Sequence, residues 1–303
     1  MCTRHPAPDS GHAHAHPHPH HHLHHLADIH RSGLRARRKT PIRIAVVGKG
    51  GVGKTTVAGA LARVLAGHGL HVLAVDADPD ANLASVLPLD SEYRPVPLAQ
   101  RRDLIQEASG RSTLPEGLFL INPDTGDLLP KGTVTWGDGN PLVALGWGKG
   151  GGEGCYCAEH AVLRRLLYEA GSLAADVTVI DSEAGLEHLS RGTIAAVDLV
   201  LVVVEPGQRS VETAVTVRKL ANDLGIDRVY PIVSGYKDAA ELETVRSWLG
   251  PWVPVAAFPY DERIRTADLR GVPPLLGGDF LAAAIGLAAY IQGLPSSSAT
   301  VST

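Results

Sequence analysis

Gly48-Lys49-Gly50-Gly51-Val52-Gly53-Lys54-Thr55-Thr56 carries the clearest chemistry in this chain. It fits the phosphate-loop pattern G-x-x-x-x-G-K-[ST]. Glycines let successive backbone N–H groups turn toward phosphate oxygens. The start of a following helix adds partial positive charge. Lys54 is placed to reach the β- and γ-phosphates, and the Thr55 hydroxyl to ligate Mg²⁺. A glycine-rich turn with a chance lysine is the plain alternative. It fits poorly, because an apolar strand-like run, Ile42 to Val47, precedes the loop and an Ala/Leu-rich helical segment, Val57 to Ala66, follows it.

Two acidic clusters belong with the loop: Asp76-Ala77-Asp78-Pro79-Asp80-Ala81-Asn82 and Asp181-Ser182-Glu183-Ala184-Gly185. Each closes a strand candidate, and ligands of open α/β sheets sit beyond the carboxyl ends of strands. A lone Asp at such an end is often a helix cap. Two of them beside a phosphate loop suit nucleotide chemistry, with Asp181 on Mg²⁺ and Asp78 orienting the attacking water. The extra cation, Lys49, fits a loop that reaches a γ-phosphate across a two-fold axis, neutralising transition-state charge as an arginine finger does.

With Asp78-Pro79 and Asp181-x-x-Ala184-Gly185, this loop resembles the MinD/ParA-type deviant Walker-A ATPases, a group that includes the nitrogenase iron protein. The resemblance implies ATP-driven dimerisation and contact between Lys49 and the partner's nucleotide.

Gly154-Cys155-Tyr156-Cys157-Ala158-Glu159 is a second chemical site. Two thiolates one residue apart do not complete a tetrahedral soft-metal site, which takes about four N/S ligands. Two-fold symmetry would double the pair to four sulfurs; His160 is an alternative third ligand. Buried, inert cysteines are the plain reading, but the Gly-rich approach from Lys149 to Gly154 argues for a loop.

The order of deviant loop, Asp-Pro-Asp, Cys-Tyr-Cys, Asp181 through Leu186-Glu187-His188-Leu189-Ser190-Arg191-Gly192-Thr193, then Glu205-Pro206, narrows the resemblance. Over most of residues 42–293 the chain resembles the CooC-type nickel-insertion ATPases that mature carbon monoxide dehydrogenase. That resemblance implies Ni²⁺, or Zn²⁺ in its place, on Cys155 and Cys157 at a dimer interface, and delivery of nickel to a metalloenzyme client. The chain departs from the pattern at Ser234-Gly235, where an Asn-Lys often reads the base. Phe258-Pro259-Tyr260-Asp261 remains as a base-side wall, with Pro259, Tyr260 and Asp261 as its contacts.

A histidine-rich leader precedes all this. Residues 1–40 hold eleven of the fifteen histidines, including His12, His14, His16, His18, His20, His21, His22, His24 and His25. Imidazole suits nickel, copper and zinc, so the tract reads as a weak nickel store. Low-complexity drift or a misassigned start is the alternative. The basic run Arg31 to Lys39 reads as a solvated linker.

These sites need elements to hold them. Strand candidates are Ile42–Val47, His71–Asp76, Leu118–Asn122, Val177–Asp181, Leu199–Glu205, Val229–Val233 and Val253–Ala257. Helix candidates are Lys54–His68, Glu159–Ala170, Ser210–Leu224, Asp238–Leu249 and Pro274–Gln292. Short β-rich runs without polar alternation suit strands covered on both faces. Alternation with helices predicts an α/β, doubly wound, mostly parallel sheet with helices on both faces, the P-loop NTPase architecture. The expected organisation is a disordered leader over 1–40, an ATPase domain over 41–294 with a Gly/Pro-rich insertion at about 85–157, and a disordered tail over 295–303.

Composition narrows the rest. The 303 residues carry a formal net charge of −4, which gives no general drive toward nucleic acid or acidic membranes. No apolar run is long enough to span a bilayer; Phe280 to Leu294 is too short. Three cysteines build no extracellular disulfide framework, so a cytoplasmic setting is expected. The reading is an Mg²⁺-dependent ATPase that dimerises with ATP and carries nickel, with no nucleic-acid or membrane partner. Two rivals stand beside it. An iron–sulfur carrier like the nitrogenase iron protein would share four cysteines and be brown. A ParA/MinD-like positioning ATPase would want a basic C-terminal helix, and the tail from Pro295 to Thr303 has no basic residue.

Overall fold

Eight strands form one sheet in the order β3-β4-β2-β5-β1-β6-β7-β8. They are β1 (Ile42–Val47), β2 (Val72–Ala77), β3 (Thr133–Trp136), β4 (Asn140–Ala144), β5 (Val177–Ser182), β6 (Leu199–Val204), β7 (Val229–Tyr236) and β8 (Ala256–Pro259). The computed structural model describes residues 41–78, 80–110, 113–115, 128–146, 175–182 and 197–295, and positions 118, 120, 123, 125, 126, 162, 165 and 166. Every pairing is parallel except β3 with β4, an antiparallel hairpin that caps one edge.

The strands are aliphatic on both sides because both sides are covered. β2, β5 and β6 are buried at every position. Alternate residues go to opposite faces. Ile44, Val46, Val179 and Leu201 pack with helix α1 (Lys54–Gly67) and the C-terminal helix α7 (Gly278–Gly293). Ala45, Val47, Ile180 and Val202 pack with α2 (Arg102–Ala108), α4 (Gln208–Asp223), α5 (Ala239–Leu249) and with Val162 and Leu166. Two further helices are α3 (Leu128–Gly132) and α6 (Glu262–Arg270). Each fully buried Leu or Val adds about 1.5–3 kcal/mol of burial free energy, so the site stands on a stiff two-faced frame.

Several expected elements shift or change. Leu118 and Leu120 lie in no strand; both are exposed, and the Leu120 N–H donates to the Ser109 carbonyl at 2.8 Å. The sheet position beside β2 belongs to β4 instead. The segment expected to be an insertion therefore contributes two strands to the sheet. The late strand starts at Ala256 rather than Val253, which is exposed. The final helix begins at Gly278, and α6 precedes it. Of the helix expected at 159–170, positions 162, 165 and 166 are helical and the rest lie outside the described residues. The leader 1–40 and residues 296–303 also lie outside them.

Candidate functional site

The loop between β1 and α1 crosses the carboxyl edge of the sheet. Gly53 ends it in the left-handed region, φ 92°, and no side chain caps the helix. The first N–H groups of α1 are thus not taken by a capping side chain, the arrangement that receives phosphate. Gly48 has φ 149°, and a Cβ there would collide with the Val203 carbonyl oxygen of β6. Only glycine lets the loop leave β1 this close to its neighbouring strand. Lys54 is 6% exposed and its Nζ donates to the Lys49 carbonyl at 3.2 Å. Lys49 Nζ stands 3.5 Å from Glu205 Oε1.

Two carboxylates meet beneath the loop. Parallel register sets Asp76 of β2 opposite Asp181 of β5. Asp181 is fully buried, and neither of its oxygens has a hydrogen-bond partner. Burial pushes its carboxyl up to about 7; the Thr55 hydroxyl beside it and the Lys54 ammonium oppose that rise, and Asp78 adds to it. The Thr55 hydroxyl faces Asp181 without completing a hydrogen bond. A buried, unpartnered carboxylate beside a loop threonine fits a hard cation, which takes oxygen ligands. Thr55 and Asp181 lie together, an oxygen pair that would suit Mg²⁺.

Asp76 is the residue sequence reasoning passed over in favour of Asp78. Burial, then the charge of Asp181, pushes its carboxyl up to about 7. It accepts the Leu83 N–H at 2.7 Å and the Asp78 N–H at 3.2 Å. It thereby ties down both ends of the turn that carries Asp78. Val86, just beyond, is wedged against Gly59 of α1. Asp78 is partly exposed at the edge, and its Oδ1 accepts the Asp80 N–H at 3.0 Å. The signal for Asp76 was present, since it ends the β2 apolar run.

A cavity of about 470 Å³ opens beside the loop, lined by Gly51, Val52, Gly53 and Thr56 on one side and by Pro259, Tyr260 and Asp261 on the other. Ser234, Gly235, Lys237, Glu241, Arg265 and Asp268 also line it. Lys237, Glu241, Arg265 and Asp268 were not anticipated; they come from positions with no motif. Tyr260 donates to Glu262 Oε2 at 2.5 Å. Asp261 borders the cavity but its carboxylate caps α6 and grips Arg263 Nε at 2.9 Å, which holds its pKa below the usual range. Pro259, Tyr260 and Asp261 all line this wall of the cavity.

Cys155, Cys157, His160, Pro79, the run from Glu183 to Thr193 and the nine leader histidines lie outside the described residues. β4 is nevertheless informative. It ends at Ala144, in register with Asp76, so its carboxyl end lies on the same edge of the sheet as the acidic turn.

Comparison with known proteins gives the same setting. Residues 44–275 match the model of the CobQ/CobB/MinD/ParA nucleotide binding domain. The chain is 38% identical over 233 residues to the carbon monoxide dehydrogenase accessory protein CooC of Rhodospirillum rubrum, covering 76% of this chain and 88% of that protein. It is 40% identical over 237 residues to an ATP-binding protein of Methanocaldococcus jannaschii, covering 77% and 90%. A ParA family ATPase from Chlorobium tepidum superposes with a TM-score of 0.60 at 21% identity, over 83% of this chain and 99% of that one. A chain of the MinC:MinD cell division complex of Aquifex aeolicus gives 0.61 at 22%, over 84% and 97%. These two structural likenesses speak to the fold.

Proposed function

The chain belongs to the CobQ/CobB/MinD/ParA nucleotide-binding family, as an ATPase of the CooC type, and we propose that it couples ATP-driven dimerisation to nickel delivery. The client is carbon monoxide dehydrogenase or a related nickel enzyme. The observation that carries the nucleotide half is the buried, unpartnered Asp181 beside Thr55 and Lys54. The metal half rests on Cys155-Tyr156-Cys157 together with the relative named for carbon monoxide dehydrogenase. A positioning role is less favoured, since identity to the septum site-determining protein MinD of Thermotoga maritima is only 25% over 248 residues.

In this mechanism the loop N–H groups and Lys54 bind the triphosphate. Thr55 and Asp181 would hold Mg²⁺, which when bound would supply positive charge to the phosphate oxygens. Asp78 accepts a hydrogen bond from the attacking water and aligns it with the γ-phosphorus; the water oxygen bonds to that phosphorus as the bond to the β-phosphate oxygen breaks, the water proton passes to a phosphate oxygen, and ADP and inorganic phosphate result. Lys49 of each subunit neutralises charge on the other subunit's nucleotide. Cys155 and Cys157 from both subunits hold the Ni²⁺ cargo as four thiolates. The leader histidines act as a loose nickel reservoir.

Light scattering and equilibrium dialysis of Ni²⁺ with and without ATP and Mg²⁺ test this. ATP should produce a dimer that binds roughly one tight nickel per two chains. A monomer under all conditions, with no tight nickel, refutes it.

A further inference from the structure

Glu205-Pro206 marks the sequence yet has no part in the chemistry above. Glu205 follows directly on β6 and borders the cavity beside the phosphate loop. Its N–H donates to Ser210 Oγ at 3.1 Å, which fixes the turn into α4. Its carboxylate pairs with Lys49 at 3.5 Å, across 156 positions of sequence (205 − 49). Backbone packing keeps the two near each other, because Gly48 is seated against the Val203 carbonyl, two residues before Glu205. Lys49 is thus held at both ends within its own subunit: its carbonyl accepts from Lys54, and its ammonium faces Glu205.

We propose that Glu205 is a positioning residue that retains Lys49 in its own subunit until a nucleotide-loaded second copy competes for the ammonium. This rests on the reading above in which Lys49 acts across the dimer. The ammonium must leave a carboxylate on its own chain before it reaches a phosphate on the other. The pair suits such an exchange. Its side chains are 43% and 40% exposed, and an ion pair this open to water is weak. While it is closed, Lys49 also neutralises a carboxylate that otherwise faces a phosphate pocket.

The test is sedimentation of the full chain with Mg²⁺ and a non-hydrolysable ATP analogue, comparing wild type, Glu205→Gln, Lys49→Gln and the double variant. The amide keeps the shape of Glu205 and removes its charge. Exposed pairs are worth about 1.4- to 5-fold, and two of them open per dimer. The association constant of Glu205→Gln should therefore rise by about 2- to 25-fold at low salt, and the gain should shrink as salt screens the pair. In the Lys49→Gln background the same change should do nothing. Weakened or unchanged association, or an equal gain without Lys49, overturns the inference while leaving the dimer reading intact. A wild type that never associates with nucleotide refutes the dimer reading itself, and this inference with it.

Discussion

Asp76 and Asp181 face each other on adjacent parallel strands, and both carboxyls are driven up to about 7, chiefly by burial. Two like charges in one dry pocket do not ionise together without help. Lys54 supplies part of that help, and a divalent cation on Asp181 would supply the rest. The frame that makes the sheet stable thus creates an electrostatic demand that a nucleotide with its metal would meet.

That demand should be visible in stability. A carboxyl raised from 3.8 to about 7 binds more protons folded than unfolded in this window. Its contribution is fully present below pH about 4 and is lost as pH rises through about 7. Urea denaturation of the chelated, nucleotide-free chain should therefore show stability falling from pH 5 to pH 8, by on the order of 2–4 kcal/mol. Asp181→Asn should remove about half of the slope, because burial of Asp76 persists. A wild-type profile that climbs over the same range contradicts the pairing.

The turn between Asp76 and Leu83 separates two roles. Asp78→Ala removes the carboxylate proposed to orient the water and should lower kcat by about 100- to 1,000-fold, with ATP affinity within a few-fold of wild type. Asp76→Ala leaves the Asp78 and Leu83 N–H groups without their acceptor. Each orphaned donor costs about 1–3 kcal/mol, so this variant should lose stability as well as rate. Equal melting temperatures with equal rates would show that Asp76 anchors nothing.

How much of this was legible beforehand depends on range. The loop, with Lys49, Lys54 and Thr55, lies within one short window, and its meaning is local. Asp181 and Asp78 follow from a topological rule about strand ends. The β3–β4 hairpin was missed although Gly137-Asp138-Gly139 marks its turn, because Thr133–Trp136 and Asn140–Ala144 are short and Pro141 interrupts the second. The apolar run at Leu118 reads as a strand by propensity, but β4 occupies that sheet position. Helix α6 escaped notice because Ala267 is its only buried residue, leaving no apolar period to detect. The Lys49–Glu205 pair joins distant segments through the neighbouring strands β1 and β6, and no spacing announces it.

Loop geometry makes its own prediction. Gly48→Ala drives a Cβ into the Val203 carbonyl, so the loop must move off β6. Backbone strain of this kind costs about 1–3 kcal/mol. Calorimetry should show ATP binding weakened at least tenfold, with melting lowered by a few degrees. Gly67→Ala, at the far end of α1, is the control, since a Cβ there meets nothing within 4 Å. If both variants bind ATP equally well, the seat on β6 is irrelevant to the loop.

Nickel is where thiolate and imidazole must be told apart. Both accept Ni²⁺ and Zn²⁺, but their proton chemistry and number differ. On the proposed function, the leader would offer many weak imidazole sites, whose occupancy should fall steeply as pH drops through about 6.5. On the same proposed function, the cysteine pair would offer few, tight sites that depend on dimer closure. In the full chain, Cys155→Ser with Cys157→Ser should abolish the tight, ATP-dependent class and its thiolate-to-nickel absorption, while leaving weak binding and ATP affinity unchanged. A chain starting at residue 41 should show the reverse, keeping the tight class and losing the weak one. Survival of tight nickel in a chain lacking both features would move the cargo site elsewhere; loss of ATP affinity in the cysteine variant would mean that the two sites are one structural unit.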